Sequence, residues 1–208
     1  MLQSRPLRSP ARRDNMQALT RDDLLSLEAY ACRRADFRVE VMAHKRLRRV
    51  PVGPYAALYF EDRLTIQYQI QEMLRVERIF EAAAIQDELD AYNPLIPDGD
   101  NWKATFMVEI EDVDVRRDAL ARLIGIEDQV WVQVGDNAKV YAIADEDLER
   151  GNADKTSSVH FLRFQLPEAS RHAVTHQAPV SIGIDHPAYR YGVVLDDARR
   201  AALVADLD

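Results

Sequence analysis

The chain has 208 residues, of which 47% are hydrophobic and 30% are charged, and its formal net charge is −8. This composition predicts a globular protein with a real core, and the acidic balance argues against a general nucleic-acid binder. The single cysteine, Cys32, excludes a disulfide within the chain and favours a reducing, cytoplasmic compartment. No apolar run reaches the roughly 18 residues that a membrane-spanning helix needs.

Residues 1–15 differ in composition from the rest of the chain. They contain few apolar residues, two prolines and four arginines, namely Arg5, Arg8, Arg12 and Arg13. Such a segment cannot bury enough apolar surface to fold. We therefore expect a disordered basic tail over residues 1–17, followed by a single domain over residues 18–208.

The first ordered element is predicted to be a helical region over residues 20–49. Thr20 and Asp23 match the capping box that starts a helix. Four side chains share one stripe of this region: Tyr30, Phe37, Val41 and His44. The region ends in four cationic side chains, which are favourable there because the C-terminal end of the helix dipole is negative: Lys45, Arg46, Arg48 and Arg49. The functional alternative for these cations is a patch that binds an anion or an acidic partner.

Residues 62–92 are predicted to form one long helix that ends at the Asn93-Pro94 pair. Its apolar side chains gather on one face: Ile66, Ile70, Met73, Leu74, Val76 and Phe80. Glu77 projects between Ile66 and Ile70, near the centre of that face. A carboxylate aimed at a core must be paired, protonated or bound to a metal, because an isolated buried charge is too costly. Glu77 is therefore the first candidate functional residue.

The polar face of the same predicted helix is rich in glutamine. Its central side chains are Gln67, Gln71, Glu72 and Arg75. They indicate either a surface for a protein partner or ligand, or contact with the protein's own sheet and loops. A homodimer formed through this helix also stays open.

The second half of the chain predicts strands joined by hairpins. Strands are expected at residues 105–110, 129–134, 139–144, 157–166, 180–185 and 189–195. Helices are expected at residues 113–124, after Pro167, and at residues 197–207. Successive strands with few crossover helices favour antiparallel pairing. The predicted fold class is α+β, with an N-terminal helical layer, including one long helix, packed on a C-terminal, mainly antiparallel sheet.

His160 lies on the apolar face of one predicted strand, since it alternates with Leu162 and Phe164. If the apolar faces of His160, His44 and Glu77 meet in one core, two imidazoles and a carboxylate converge. Such a set would hold Fe(II), Mn(II) or Zn(II), or would serve as an acid–base pair.

His186, in the turn between the last two strands, is a possible fourth member of this candidate metal site. The alternative is purely structural: each histidine bonds a carbonyl, and Glu77 pairs with a nearby arginine. None of the common nucleotide, zinc-protease or serine-hydrolase motifs occurs in the chain.

Several long runs resemble a bacterial domain-of-unknown-function family, number thirty-five-oh-one. They include LTRDDLLSLEAY, FEDRLTIQYQIQEMLRVERIFE, KTSSVHFLRF and GIDHPAYR, and the similarity extends from Leu19 to the C-terminus. The family has no assigned activity, so the resemblance implies no catalytic residue. Its genes often neighbour rubrerythrin-like and iron–sulfur oxidoreductase genes, which implies a bacterial cytosolic role near redox or iron chemistry.

Three functions follow as hypotheses. The first is a non-enzymatic accessory protein that binds a redox or iron–sulfur partner. It would use the glutamine-rich face or the cations between Lys45 and Arg49. The second is a small metal-dependent or acid–base enzyme centred on Glu77, His44 and His160. The third is a binder of an anionic small molecule at the same interior.

Overall fold

The structure is a computed structural model that describes residues 16–147, 150–151 and 154–208. The basic tail predicted for residues 1–17 therefore lies, up to residue 15, outside the described residues. In the described part, no helix combines the length and the hydrophobicity that a membrane span requires.

Three helices form an N-terminal layer: α1 (Leu27–Arg46), α2 (Arg63–Glu77) and α3 (Ala82–Tyr92). The predicted capping box of Thr20 and Asp23 is present, but it begins a short 3₁₀ helix at Arg21–Asp23 and not a long α-helix. Helix α1 begins later, where the hydroxyl of Ser26 accepts the backbone N–H of Ala29.

The prediction of one continuous helix over residues 62–92 is wrong, because the chain turns sharply at Arg78. This residue has a left-handed conformation with φ of 56°, and it ends α2. The turn brings Ile79 back against the small cluster that contains Leu74. Predicted core residues consequently face solvent, since Val76 is 57% and Phe80 is 71% exposed.

The described residues form nine strands, which follow the chain in the order β1 (Arg49–Val52), β2 (Ala56–Phe60), β3 (Asn101–Val108), β4 (Val130–Val134), β5 (Val140–Tyr141), β6 (Ile143–Ala144), β7 (Val159–Gln165), β8 (Val180–His186) and β9 (Tyr189–Val194). They form two antiparallel sheets. The first has the order β1-β2-β3-β7-β6, and the second has the order β5-β4-β8-β9. The remaining helices are α4 (Val113–Arg122), α5 (Glu168–Thr175) and α6 (Asp197–Val204).

The α+β prediction is confirmed, with the strands divided between two sheets. The division falls within the predicted strand over residues 139–144. Val140 and Tyr141 pair with β4, whereas Ile143 and Ala144 pair with β7. The predicted hairpin turn after β4 is present, and its Gly135 has a φ of 54° that favours glycine.

The main core lies between the two sheets and is apolar. Its largest members include Leu58, Phe60, Trp102, Phe106, Phe164, Ile182 and Ile184. A smaller cluster lies inside the helical layer and contains Leu19, Ile66, Ile70, Leu74, Leu89 and Ile96. Strand β3 is buried on both faces, because one face meets the second sheet and the other meets the helical layer.

The two tryptophans of the chain both belong to the sheets. Trp102 is fully buried in the main core, and its Nε1–H donates to the carbonyl of Leu203 at 2.9 Å. Trp131 lies on the outer face of the second sheet, where a Cβ on Gly183 would overlap its ring. The ammonium of Lys139 covers the ring at 4.0 Å from its centroid.

Candidate functional site

His160 points into the protein, as predicted from the strand pattern, and is fully buried. Its Nδ1 lies 2.6 Å from Oδ2 of Asp145, and its Nε2 lies 2.9 Å from the Thr156 hydroxyl and 3.1 Å from the Ser157 carbonyl. Asp145 also accepts the backbone N–H of Phe161. Both ring nitrogens therefore have protein partners that fix the crossing from β6 to β7.

His44 is half-buried and pairs with Asp62, with 2.6 Å between Nε2 and Oδ2. Arg48 approaches the same carboxylate oxygen at 2.9 Å and forms a two-bond pair with Asp206, at 2.7 and 2.8 Å. Arg48 is only 3% exposed, so the predicted helix-terminal cation is the centre of a buried cluster. This cluster joins the helical layer to the segment after α6.

Opposing effects set the pKa values of the two carboxyls in this cluster. Burial raises the pKa of Asp206 to about 6, even though Arg48 lowers it. Burial also opposes ionisation of Asp62, but the hydrogen bond from His44 and the charge of Arg48 hold its pKa below the usual value. Arg48 therefore favours the ionised form of Asp206, and His44 and Arg48 together favour the ionised form of Asp62.

The other two candidates lie elsewhere. Glu77 is the exposed last residue of α2, so its predicted burial is wrong, and the cause is the turn at Arg78. His186 donates Nε2–H to the Ile124 carbonyl at 3.2 Å, and its Nδ1 accepts the N–H of Ala188. Within the described residues, no three His, Cys, Asp or Glu side chains are arranged to hold a metal. The predicted convergence of Glu77 with the histidines does not form.

The glutamine-rich face of α2 contacts the protein itself. Gln71 is 1% exposed and bonds both the N–H and the carbonyl of Leu25, and Gln67 donates to the carbonyl of Asp23 at 2.6 Å. Glu72 accepts hydrogen bonds from three side chains: Tyr30, Arg34 and Arg75. Contact with the protein's own loops, one of the two interpretations of this pattern, accounts for Gln67 and Gln71. Glu72 instead contacts helix α1, and Arg75 stays exposed.

A cleft of about 820 Å³ lies between the helical layer and the first sheet. Helix α3 and the following turn form one wall with Glu88, Tyr92 and Leu95. Strand β7 contributes Phe161 to the opposite wall. No local sequence pattern predicts this cleft, because its walls come from segments that are distant along the chain.

The cations of the cleft are already engaged. The ammonium of Lys103 donates to the carbonyls of Pro94 and Ile96, each at 2.8 Å, and lies 3.0 Å from Asp98. Arg163 binds Glu146 through two hydrogen bonds of 2.7 and 2.8 Å. These cations therefore join the walls to each other and to the rim.

A second groove, of about 660 Å³, lies beside the N-terminus of α1. Its lining is mostly aliphatic and includes Leu24, Leu27 and Ile85, with exposed Phe80 at the edge. It contacts the helical layer alone, whereas the larger cleft is walled by both layers.

These observations define the chain as an α+β protein with two antiparallel sheets, a helical cover and an open cleft between layers. It belongs to the family described as protein of unknown function (DUF3501), whose model matches residues 18–207. The chain is also similar to a novel protein of unknown function from Burkholderia pseudomallei, known from a crystal structure. The TM-score is 0.88 at 54% identity, over 92% of this chain and 100% of that chain. No curated protein matches.

Proposed function

We propose that the protein is a non-enzymatic accessory protein that binds a small ligand in the cleft between the helical layer and the first sheet. The cleft itself carries this proposal. Its volume of about 820 Å³ is within the range of small-molecule sites, roughly 300–1,000 Å³. Aromatic and aliphatic side chains from both layers line it together with eight described charged side chains, which suits a ligand that has both an apolar body and a polar group.

The remaining polar residues favour binding over catalysis. His44, His160 and His186 each have separate partners within the protein, and Glu77 lies at the surface. An enzyme centred on Glu77, His44 and His160 would need these groups to act on one substrate. Their separate positions give that alternative no geometric support.

The cellular setting is a second part of the proposal. A bacterial cytoplasmic role beside redox or iron–sulfur proteins rests on the family resemblance and on the single cysteine. A redox partner and a homodimer both stay predictions, as does the single domain over residues 18–208.

A neutral, environment-sensitive dye tests the cleft directly. Nile red has no charge, so its binding reports apolar space regardless of ligand class. Ala91 lines the cleft, and Ala91→Trp would place an indole in it. Ala83, which is exposed on the same helix and does not line the cleft, gives the matched control Ala83→Trp.

We expect saturable Nile red fluorescence with the natural protein and with Ala83→Trp. Ala91→Trp should bind the dye at least about tenfold more weakly, which corresponds to about 1.4 kcal/mol. The proposed function would be overturned by the absence of saturable binding, or by equal binding to Ala91→Trp. Circular dichroism of the variants confirms that their folds are intact.

A further inference from the structure

Among the described residues, the lining of the cleft carries more negative than positive groups. Five described carboxylates line it, namely Glu88, Asp90, Asp98, Glu146 and Asp147. Three cations line it, namely Lys103, Arg150 and Arg163. Each cation pairs with a different one of these carboxylates: Lys103 with Asp98, Arg150 with Asp147, and Arg163 with Glu146. Glu88 and Asp90, both on α3, are left over.

Glu88 is the half-buried carboxylate of the lining that has no paired cation among the described residues. Burial raises its pKa, and the nearby carboxylates of Glu77 and Asp87 raise it further. A cation that entered the cleft would lower the pKa of Glu88 again and so offset both effects. Asp90 accepts a hydrogen bond from the neutral amide of Gln86 and adds to the negative potential.

The aromatic lining also suits a cation. The guanidinium of Arg150 already lies 4.5 Å from the centroid of the Phe161 ring, in the attractive geometry for a cation over an aromatic face. Tyr92, on the opposite wall, is a second ring that lines the cleft. Because Arg150 already occupies the face of Phe161, Tyr92 is the described ring left to contact a ligand, and the carboxylates of the lining would attract its charged group.

An anionic ligand would meet a less favourable site. Lys103 and Arg163 would have to give up bonds to Pro94, Ile96 and Glu146 before they could bind it. Such an exchange gains little, because a good bond is lost for each one formed. The third hypothesis from the sequence, an anionic small molecule, thus has weaker support than a cationic one.

We propose that the cleft binds an organic cation, an apolar body with one ammonium or guanidinium group, and that Glu88 holds the charged group. This inference rests on the proposed function, because it names the ligand class of the same cleft. Glu88 acts here as a specificity residue, whereas the aromatic and aliphatic walls bind the body of the ligand.

The test is competition against bound Nile red with three probes that share one carbon skeleton. 4-Phenylbutylamine carries a positive charge, 4-phenylbutanol is neutral, and 4-phenylbutanoate carries a negative charge. We expect the amine to displace the dye at about a tenfold lower concentration than the alcohol, because two carboxylates attract it in a partly desolvated cleft. The carboxylate should be the weakest competitor, and high salt should narrow the differences.

Variants assign the charge preference to Glu88. Glu88→Gln should reduce the ratio of amine to alcohol potency to about one- to threefold and leave the alcohol unchanged. Glu81→Gln, an exposed change on the N-terminal side of α3, should preserve the full ratio. Alcohol binding doubles as a folding control, since an unfolded variant would lose it too.

Two outcomes would overturn this inference while the cleft function stands: equal potency of amine and alcohol, or carboxylate as the strongest competitor. A full amine preference in Glu88→Gln would overturn the role of Glu88. Failure of the proposed function gives a different result, because Nile red itself would then show no binding that Ala91→Trp weakens.

Discussion

The two faces of the first sheet are packed by different means. Towards the second sheet, strand β3 presents Trp102, Ala104 and Phe106 to an apolar core. Towards the helical layer, the same strand presents Lys103 and Thr105, which bond backbone carbonyls and the carboxylate of Glu61. Alternation of side chains along one strand thus gives an apolar interface on one face and a hydrogen-bonded interface on the other.

This difference explains where the cleft lies. An apolar interface gains from closing every gap, because each void loses dispersion contacts. A polar interface is fixed by a few directional bonds, so the two layers can stay apart between those bonds. The cleft lies beside Lys103, at the polar interface, and the apolar interface carries the main core.

Substitution of Arg48 should destabilise the protein more than any other change proposed for the polar contacts of the helical layer. Arg48→Met leaves Asp62 and Asp206 buried without their cation, and breaking a buried pair in this way costs about 3–5 kcal/mol. Urea unfolding measures the loss. Arg49→Met is the neighbouring control, because Arg49 pairs with Glu109 at the surface and should contribute less than about 1 kcal/mol. Equal losses in the two variants would contradict a special role for the buried cluster.

Glu72 tests whether charge also holds the helical layer together. Hydrogen bonds from Arg34 and Tyr30 lower the pKa of Glu72 to about 2, from 4.5. A folded-state pKa below the unfolded value stabilises the protein above pH 4.5, and this stability is lost as the pH falls towards 2. Glu72→Gln should lower the free energy of unfolding by about 2 kcal/mol at pH 7, and this difference from the natural protein should shrink between pH 5 and pH 2.

Urea midpoints at pH 7, 5 and 3 measure this difference, since other carboxyls titrate alike in both proteins. Glu77→Gln is the control, because Glu77 is exposed and should change stability by less than about 0.5 kcal/mol at any of these pH values. A pH-independent effect of Glu72→Gln would contradict the electrostatic explanation.

The smallest expected effects come from a reciprocal exchange between the two interfaces of the first sheet, one with the helical layer and one with the second sheet. Thr105→Val removes the hydroxyl that donates to Glu61 at 2.7 Å, and should cost about 1 kcal/mol. Val132→Thr puts a hydroxyl into the apolar core and should also cost about 1 kcal/mol or more, although the side chains are of similar size. Thermal unfolding of both variants measures the pair. If either substitution stabilises the protein, the contrast between the two interfaces is weaker than described.

Local signals predicted much of the fold. The hairpin turns, the strand that carries His160 and the final helix depend on neighbouring residues, and the structure contains all of them. The division of residues 139–144 between two sheets was beyond prediction, because both halves have the same strand pattern. The end of α2 was missed for a related reason: Arg78 is neither glycine nor proline, yet it takes the left-handed conformation.

The site residues were harder to predict because their partners are distant in sequence. Arg48 looked like an ordinary cation at a helix end, and its partner Asp206 follows 158 positions later. Glu88 carried no signal at all, since its significance comes from a cleft that two layers form together. His160 was predicted correctly as inward-facing because strand alternation is local, whereas its bond to Asp145 was not foreseen.

The position of the two tryptophans gives the layers separate optical signals. Trp102 and Trp131 report on the sheets, and the helical layer has no indole among residues 16–97. Far-ultraviolet circular dichroism, by contrast, is dominated by helices, and the three longest ones are α1, α2 and α3, with 20, 15 and 11 residues. If denaturant removes the dichroism before the indole emission changes, the helical cover detaches as a unit of its own. Coincident curves would mean that one cooperative transition includes both layers, as a single domain requires.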